Sequence, residues 1–281
     1  MKFYIYTLGC KVNTYESNVI RDLLEDHHYV ASTSFEDSDL IIINTCSVTN
    51  TADNKSKKMI RHARKVNPKA ILVVMGCFSQ ISEEVKDDLS IDIVLGNKDK
   101  SKLLTYIEKK KKQKRIVHIE DLSHVPFEPM KLKNFNQTRA FVKIEDGCEN
   151  FCSYCIIPYT RGPVRSKPAS EVLDEIQTLV TDGHKEIVLT GIHTGHYQDQ
   201  EVSFADLLKQ IIKIPGLKRL RISSIEMNEI TKEVLEILKE SPILVDHFHI
   251  PLQSGSEEIL KKMNRKYTKQ EFINKIKEIR T

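Results

Sequence analysis

Residues 141–162 read FVKIEDGCENFCSYCIIPYTRG and contain the pattern that decides the fold of the second half of the chain. The apolar FVKI predicts a strand, and Cys148, Cys152 and Cys155 follow it in a loop with C-x3-C-x2-C spacing. A structural zinc site normally takes four protein ligands, often from two C-x2-C pairs, and this loop offers only three. A 4Fe–4S cluster has four irons, so three thiolates leave one iron open for another ligand.

S-adenosylmethionine (SAM) can chelate such an open iron through its amino and carboxylate groups. The spacing therefore predicts a radical-generating 4Fe–4S cluster, and Gly147 and the aromatic Tyr154 belong to the same loop. Two alternatives are a zinc knuckle completed by a distant histidine and chance clustering of the cysteines. The histidines available as a fourth zinc ligand are His193, His196, His247 and His249.

The residues after this loop alternate between strand and helix patterns. After FVKI come EIVLTG (186–191), RLRISS (219–224) and FHIPL (248–252), with helical patterns at 170–181, 204–212, 231–239 and 257–263. Four strands are too few to close an eight-stranded barrel. We therefore expect a partial (βα) radical SAM barrel at 139–281, truncated at its carboxyl end because the sequence stops inside a helical pattern.

The first part of the chain alternates in the same way. Apolar runs at 3–7, 29–32, 40–44, 71–75 and 91–95 read as strands, and several lack polar alternation. Such runs are typical of a parallel sheet that is covered on both faces. The α/β pattern predicts a doubly wound, flavodoxin-like domain at 1–115 and a Pro- and Asn-rich linker at 116–138.

A second set of cysteines lies in this first domain, where Cys10, Cys46 and Cys77 each stand just beyond a predicted strand. In the sheet order 2-1-3-4-5, the first, third and fourth strands are neighbours about 5 Å apart. Three thiols at their carboxyl ends could meet on one metal cluster, which would also leave one iron open. Taken singly, each cysteine is more typical of a small buried apolar residue.

Bulk composition leaves several function classes open and excludes others. The chain has 281 residues, of which 40% are hydrophobic, so two ordinary cores are expected. A net charge of +4 is only mildly basic, and any nucleic-acid contact must therefore come from a local patch. No stretch approaches the roughly 20 apolar residues of a membrane span. We expect a cytoplasmic protein without structural disulfides, in which the six cysteines are metal ligands, redox groups or buried thiols.

Several motifs together resemble one known family. The three amino-terminal cysteines, CENFCSYC (148–155) and IIPYTRG (156–162) resemble the methylthiotransferase family of radical SAM enzymes, over nearly the whole chain. The branch that acts on threonylcarbamoyladenosine in tRNA is the most similar. The supporting motifs are NTCSVTNTADNKSKKMIRHARK (44–65), RGPVRSK (161–167), LTGIHTG (189–195), RISSIE (221–226) and HIPLQSGSEEILKKMNRKYT (249–268). Sister branches modify isopentenyladenosine in tRNA or an aspartate of a ribosomal protein, and all three share the cysteine pattern.

The resemblance implies a reaction and its cofactors. Cys148, Cys152 and Cys155 would hold the radical-generating cluster, and Cys10, Cys46 and Cys77 would hold an auxiliary cluster that carries the sulfur. The implied product is 2-methylthio-N6-threonylcarbamoyladenosine, formed next to the anticodon at tRNA position 37 with SAM as cosubstrate. The implied partners are the anticodon stem-loop of tRNA, an electron donor such as flavodoxin or ferredoxin, and an unknown sulfur donor. A non-catalytic iron–sulfur or zinc module that binds RNA is the other alternative.

Other residues are candidates for SAM contacts. Tyr154 would pack against the adenine, although a core aromatic fits equally well, and Thr190 and Gly191 match the place where related enzymes bind the methionyl amino group. Polar residues at later strand ends are candidates for ribose or carboxylate contacts, because barrel active sites form there. These residues are Ser223, Ser224, Glu226 and Gln253. His249 has two interpretations, a side chain that faces the barrel interior and a satisfied core histidine.

Basic residues give two candidate surfaces for RNA. The first recurs at helical spacing after Cys46, and the second directly follows the cysteine loop. They comprise Lys57, Lys58, Arg61, Arg64 and Lys65, and Arg161, Arg165 and Lys167. A solvated helix face is the alternative for the first group. The family's small carboxyl-terminal β-domain for RNA binding and two further barrel strands have no counterpart in this sequence.

Overall fold

The computed structural model describes residues 1–281, which form two units. The first unit contains Met1–Asn134 together with Tyr159–Arg161, and the second contains Phe135–Pro158 and Gly162–Thr281. No helix in the structure is both long enough and apolar enough to span a membrane.

The first unit is built on a six-stranded parallel sheet in the order β2-β1-β3-β4-β5-β6. Its strands are β1 Lys2–Thr7, β2 Val30–Ala31, β3 Leu40–Thr45, β4 Ile71–Gly76, β5 Ile93–Leu95 and β6 Ile116–His118. Its helices are α1 Lys11–Asp26, α2 Asn50–Val66, α3 Cys77–Ile81, α4 Glu83–Asp87 and α5 Leu103–Lys110, with a 3-10 turn at Lys100–Lys102. Every residue of β3 is buried, because helices cover both faces of the sheet. The predicted order 2-1-3-4-5 is confirmed, and β6 extends it.

The second unit contains a three-stranded parallel sheet in the order β13-β10-β7. The strands of this unit are β7 Arg139–Lys143, β8 Glu145–Asp146, β9 Arg165–Ser166, β10 Glu186–Thr190, β11 Gln198–Asp199, β12 Val202–Ser203 and β13 Arg219–Ile222. The helices are α7 Ala169–Thr181, α8 Phe204–Ile211, α9 Lys232–Glu240, α10 Glu257–Lys262 and α11 Lys269–Arg280. A short helix, α6 Ile157–Arg161, follows the cysteine loop, and 3-10 turns occur at Thr194–His196 and Met227–Glu229.

The register of this sheet aligns the carboxyl ends of its strands. Thr190 pairs with Lys143, and Leu189 pairs with Ile222. The βα alternation follows from helix starts that are fixed locally, as where Ser203 and Asp206 form a capping box at the start of α8. Side chains and loops that follow β7, β10 and β13 therefore meet at one edge of the sheet, where barrel enzymes place their active sites.

Two predictions about the elements are corrected by the structure. Residues 116–138 were expected to be a linker, but Ile116–His118 forms β6, and Met130 and Leu132 are buried in the first unit. A three-residue strand is too short to produce a periodic pattern. FHIPL (248–252) was expected to be a strand, but only an isolated bridge joins His249 to Ser224. Pro251 has no N–H group with which to continue a ladder.

Candidate functional site

Three cysteines stand at the carboxyl edge of the parallel sheet in the first unit. Cys10 is the residue before α1, Cys46 follows β3, and Cys77 opens α3 directly after β4. Since β1, β3 and β4 are adjacent, these positions are neighbours, as the sequence predicted. Cys46 and Cys77 are buried and Cys10 is exposed, and all three are free thiols.

The thiol of Cys46 lies within electrostatic range of the other two cysteines. Burial is the largest influence and raises the pKa of the Cys46 thiol, and the charges of Cys77 and Cys10 raise it further. Gly9 permits this close approach: its φ is +106°, and a Cβ added there would lie 3.1 Å from Cys46 Sγ. Three soft thiolate donors therefore share one small region at the sheet edge.

The second cysteine loop begins immediately after β8. The antiparallel pairing of β8 with β9 closes residues 147–164 into a loop, and Cys148 N–H donates to the Gly162 carbonyl across its base at 3.0 Å. Gly147 has φ +94°, and a Cβ there would lie 1.9 Å from the Pro163 carbonyl oxygen. Only glycine fits at this position, because both the backbone conformation and the space exclude a side chain.

The three sulfurs of this loop also influence one another. Burial is the main reason why the pKa of Cys155 is raised, and the charges of Cys148 and Cys152 raise it further. Cys155 N–H donates to the Cys152 carbonyl at 2.9 Å, which closes a tight turn between these two cysteines. The structure thus brings Cys148, Cys152 and Cys155 together, and all three are free thiols.

The segment Met263–Arg265 forms hydrogen bonds with the cysteine loop. Ser153 N–H donates to the Met263 carbonyl at 3.2 Å, and Asn264 Nδ2 donates to the Phe151 carbonyl at 3.0 Å. Arg265 Nη1 donates to Cys152 Sγ at 3.4 Å. Sequence reasoning missed Asn264 and Arg265 as functional residues, although both lie in the motif MNRKYT that supported the family resemblance.

Arg265 is held in place by a carboxylate and a tyrosine. Its Nη2 forms an ion pair with Glu226, its Nε donates to the Tyr267 hydroxyl at 3.3 Å, and its guanidinium lies 5.0 Å from the centre of the Tyr267 ring. Burial raises the pKa of Glu226, and the charge of Arg265 opposes this effect. Burial is the largest influence and lowers the pKa of Arg265, but Glu226, Tyr267 and Cys152 together outweigh it and raise the net pKa, so the guanidinium stays charged.

A histidine lies on the remaining side of the loop. His193 Nδ1 is 4.0 Å from Cys148 Sγ, and its Nε2 is 2.5 Å from Glu229 Oε1. Burial lowers the pKa of His193, but its contacts with Cys148 and Glu229 outweigh burial and raise it to about 10. The Nε2–Oε1 contact is an ion pair, because Glu229 Oε1 has no hydrogen-bond partner, and it is shorter than the separation of about 3 Å between two ligands of one zinc ion. The backbone N–H of His193 donates to Glu145 Oε2 at 2.6 Å.

These groups line a common pocket of about 170 Å³ in the second unit, which is smaller than a typical small-ligand site. Its lining includes Cys152, His193, Glu226, Arg265 and Tyr267. Of the predicted SAM-binding residues, Glu226 belongs to this lining. The others lie elsewhere around the strand ends: Tyr154 and Gln253 are exposed, Thr190 and Ser223 are buried, and Gly191 packs against Glu145. His249 is exposed and its Nδ1 lies 3.0 Å from Ser224 Oγ.

The first predicted basic surface contains both exposed residues and residues that form ion pairs within the protein. Lys58, Arg61 and Lys65 are exposed on α2. Lys57 pairs with Glu84, and Arg64 pairs with Asp92 at 2.7 Å while donating to three backbone carbonyls.

The second basic group requires a correction. Arg161 and Lys167 are fully buried, with Arg161 paired to Glu16 and Lys167 Nζ lying 2.5 Å from Glu175 Oε2. Arg165 is half-buried and donates to the Pro163 carbonyl at 3.0 Å. A buried cation needs a buried partner, so Arg161 and Lys167 are unavailable to RNA phosphates.

Comparison with known proteins first defines the class. The Radical SAM superfamily matches residues 142–281, and Uncharacterized protein family UPF0004 matches residues 2–96. The fold resembles that of TsrM, a radical SAM methyltransferase from Kitasatospora setae, solved once with a SAM analogue and tryptophan and once with cobalamin and a 4Fe–4S cluster. The TM-scores are 0.68 and 0.67 at 14% and 15% identity, covering 99% of this chain and 65% and 67% of the solved chains.

Curated relatives then define the family. Threonylcarbamoyladenosine tRNA methylthiotransferase MtaB from Bacillus subtilis is 43% identical, with 98% of this chain and 62% of the relative covered. MtaB from Aquifex aeolicus is 36% identical, with 97% of this chain and 68% of the relative covered. A tRNA-2-methylthio-N(6)-dimethylallyladenosine synthase from Clostridium botulinum (strain Loch Maree) is 35% identical, with 99% and 64% covered. The chain belongs to the methylthiotransferase family of radical SAM proteins, as its motifs predicted, and it spans 62%, 68% and 64% of the lengths of these three relatives.

Proposed function

We propose that the chain acts as a tRNA methylthiotransferase that converts N6-threonylcarbamoyladenosine at tRNA position 37 into its 2-methylthio derivative. The observation that carries the proposal is the presence of two separate sets of three free cysteines, one in each unit. The names of the relatives at 36–43% identity support the choice of threonylcarbamoyladenosine over isopentenyladenosine.

The donor chemistry of both cysteine sets fits a 4Fe–4S cluster. Each set offers three soft thiolates whose charges act on one another, and each has a nitrogen donor 3.4 Å from one sulfur, Asn97 Nδ2 at Cys77 and Arg265 Nη1 at Cys152. Such N–H···S contacts stabilise negative charge on cluster ligands. We therefore assign the auxiliary cluster to Cys10, Cys46 and Cys77, and the radical-generating cluster to the C-x3-C-x2-C loop.

When bound, the clusters and SAM supply the radical that attacks an unactivated aromatic C–H bond and the sulfur that replaces the hydrogen. The residues of this chain perform supporting tasks. The segment Met263–Arg265 holds the cysteine loop against the pocket by backbone and side-chain hydrogen bonds. Arg265 presents a permanent positive charge to Cys152, and Glu229 forms an ion pair with His193 beside Cys148.

The remaining assignments are proposals of the same kind. Thr190, Gly191, Ser223 and Glu226 stand near the strand ends that would receive SAM. The exposed Lys58, Arg61 and Lys65 would contact tRNA phosphates, and a flavodoxin or ferredoxin would supply electrons. We also propose a cytoplasmic location, in keeping with a tRNA substrate. The functional division is proposed as an auxiliary-cluster domain in the first unit, which includes β6, and a radical SAM core at 139–281.

Two measurements test the proposal. Anaerobic reconstitution with iron and sulfide should give about eight irons per chain, as expected for two 4Fe–4S clusters. Zinc without iron would overturn the assignment. Expression in a strain that lacks its own threonylcarbamoyladenosine methylthiotransferase, followed by mass spectrometry of tRNA nucleosides, should restore the methylthio product. Methylthiolation of isopentenyladenosine instead would favour the sister activity.

Variants of the two cysteine sets separate the roles of the clusters. Replacing Cys148, Cys152 and Cys155 with Ala should abolish formation of 5′-deoxyadenosine. Replacing the other three cysteines, in β1–α1, after β3 and after β4, should preserve 5′-deoxyadenosine formation but stop sulfur insertion. Methylthiolation by the second variant would show that the auxiliary assignment is wrong.

A further inference from the structure

A network of charged side chains lies completely buried beside the cysteines of the first unit. Glu16, Lys100 and Arg161 are each at most 1% exposed. Glu16 accepts from both cations, with Arg161 Nη1 at 3.0 Å from its Oε1 and Lys100 Nζ at 2.5 Å from its Oε2. Lys100 belongs to the 3-10 turn before α5, Glu16 to α1, and Arg161 to the three-residue stretch that packs with this unit.

Two buried asparagines connect these charges to the sulfurs. Asn13 Oδ1 accepts from Arg161 Nη2 at 2.6 Å and lies 3.9 Å from Cys10 Sγ. Asn97 Oδ1 accepts from Lys100 Nζ at 2.8 Å, and Asn97 Nδ2 lies 3.4 Å from Cys77 Sγ. The network therefore runs without a break from one cysteine to another.

Further hydrogen bonds fix the orientation of both amides. Asn13 Nδ2 donates to the carbonyls of Leu8 and Thr45 at 2.7 and 2.9 Å. Asn97 Nδ2 also donates to the Thr160 carbonyl at 2.7 Å. A flipped amide would lose these bonds, so Asn97 presents an N–H group to Cys77, whereas Asn13 presents its oxygen to Cys10.

The network contains buried charges of both signs, with Lys100 and Arg161 as cations and Glu16 as the anion between them. Buried charge is retained in proteins where a compensating charge lies nearby. Three cysteine thiolates on an oxidised 4Fe–4S core carry about −1 in total, so each charge of the network acts on the energy of the cluster. The field of Arg161 already reaches Cys46, where it favours the thiolate against the larger effect of burial.

We propose that Glu16, Lys100 and Arg161 form a positioning network whose charges, acting through Asn97 on Cys77, set the reduction potential of the cluster bound by Cys10, Cys46 and Cys77. The inference rests on the proposed function, because it requires a cluster at these cysteines. A positive charge near the cluster favours the reduced form, and removing that charge lowers the potential.

Two single variants should shift the potential in opposite directions. The parent protein carries Cys148, Cys152 and Cys155→Ala, so that iron loads only at the first set of cysteines. Lys100→Met removes a positive charge, and Glu16→Gln removes the negative one. At a fixed ambient potential, the ratio of reduced to oxidised cluster should fall at least tenfold in the first variant and rise at least tenfold in the second. Tenfold corresponds to 59 mV for a one-electron couple.

A double variant distinguishes charge from damage to the structure. Glu16→Gln combined with Lys100→Met removes one charge of each sign, so its ratio should return to within threefold of the parent. The matched controls are Lys112→Met and Glu25→Gln, which change exposed residues of the same unit and should leave the ratio unchanged. If Lys100→Met fails to fold by circular dichroism, Arg161→Gln removes the other cation and should lower the ratio in the same direction.

The outcomes separate this inference from the proposed function. A parent protein that takes up no iron after reconstitution overturns both. Three results at full iron content overturn the inference and leave the cluster assignment intact. They are a shift of the reduced-to-oxidised ratio in the same direction in both single variants, an unchanged ratio in both, and a double variant whose ratio does not return to that of the parent. Opposite shifts with recovery in the double variant support it, because loss of packing alone cannot reverse sign.

Discussion

Replacing Arg265 with Gln should lower the reduction potential of the cluster bound by the C-x3-C-x2-C loop. A unit charge 3.4 Å from Cys152 Sγ acts with about 5 kcal/mol at an effective dielectric constant of about 20. If four irons share the added electron, roughly a quarter of this energy, about 1.3 kcal/mol, bears on the reduction step. That energy is equivalent to a roughly tenfold fall in the ratio of reduced to oxidised cluster. Glu226 balances part of the charge, so tenfold is an upper value.

The assay is a potentiometric titration followed by electron paramagnetic resonance, with Cys10, Cys46 and Cys77→Ala so that only the second cluster loads. Arg265→Lys keeps the positive charge and should recover most of the shift, whereas the exposed Arg280→Gln should leave the potential unchanged. Formation of 5′-deoxyadenosine should fall in Arg265→Gln, since reduction precedes SAM cleavage. An Arg265→Gln protein with full iron content and a ratio within twofold of the parent would refute the electrostatic reasoning.

Three further predictions concern stability and need no cofactor. Lys167→Met leaves the Glu175 carboxylate without its 2.5 Å ion-pair partner in a buried site and should cost about 3–5 kcal/mol of unfolding free energy in urea, much of it recovered by adding Glu175→Leu. Burial raises the pKa of Glu145 from 4.5 to about 8. The folded protein therefore binds this proton more tightly than the unfolded chain does, and its free energy of unfolding should fall by up to about 1.4 kcal/mol for each unit that the pH rises between 4.5 and about 8. A Glu145→Gln variant whose stability falls with pH at the same slope would contradict the assignment. Gly147→Ala forces a Cβ to 1.9 Å from a carbonyl oxygen at φ +94° and should lower the melting temperature, whereas Gly255→Ala, with nothing within 4 Å, should not.

The sequence contained enough information to predict the cysteine sites, because residues that follow adjacent parallel strands lie side by side at one edge of the sheet. Cys10, Cys46 and Cys77 are far apart in the chain, yet each follows one of three strands whose order is restricted by the doubly wound topology. The C-x3-C-x2-C loop is local, so its ligands needed no tertiary information. Most strands were predictable because an apolar run is also a local feature of the sequence. Whether the short β6 and the segment 248–252 form strands depends on their pairing partners, which the local sequence does not show.

Charge roles were not predictable, because a cation in a sequence does not reveal its partner. Arg161 and Lys167 follow the cysteine loop and resemble a phosphate-binding patch, but they are paired with Glu16 and Glu175 in buried sites. Glu16 lies 145 residues from Arg161. The same limit hid Arg265, whose contact with Cys152 spans 113 residues. Burial decides these roles, and burial depends on contacts between distant parts of the chain.

The two cysteine sites differ in how positive charge reaches a sulfur. In the second unit, Arg265 Nη1 contacts Cys152 directly at 3.4 Å. In the first unit, Lys100 acts through Asn97, whose Oδ1 accepts from Lys100 and whose Nδ2 lies at Cys77. Both cations are shielded from solvent, since the Lys100 side chain is fully buried and the Arg265 side chain is 4% exposed. Salt screens buried charges only weakly. The potentials of both clusters should therefore change little between low and high salt, and titrations at the two salt concentrations would test this expectation directly.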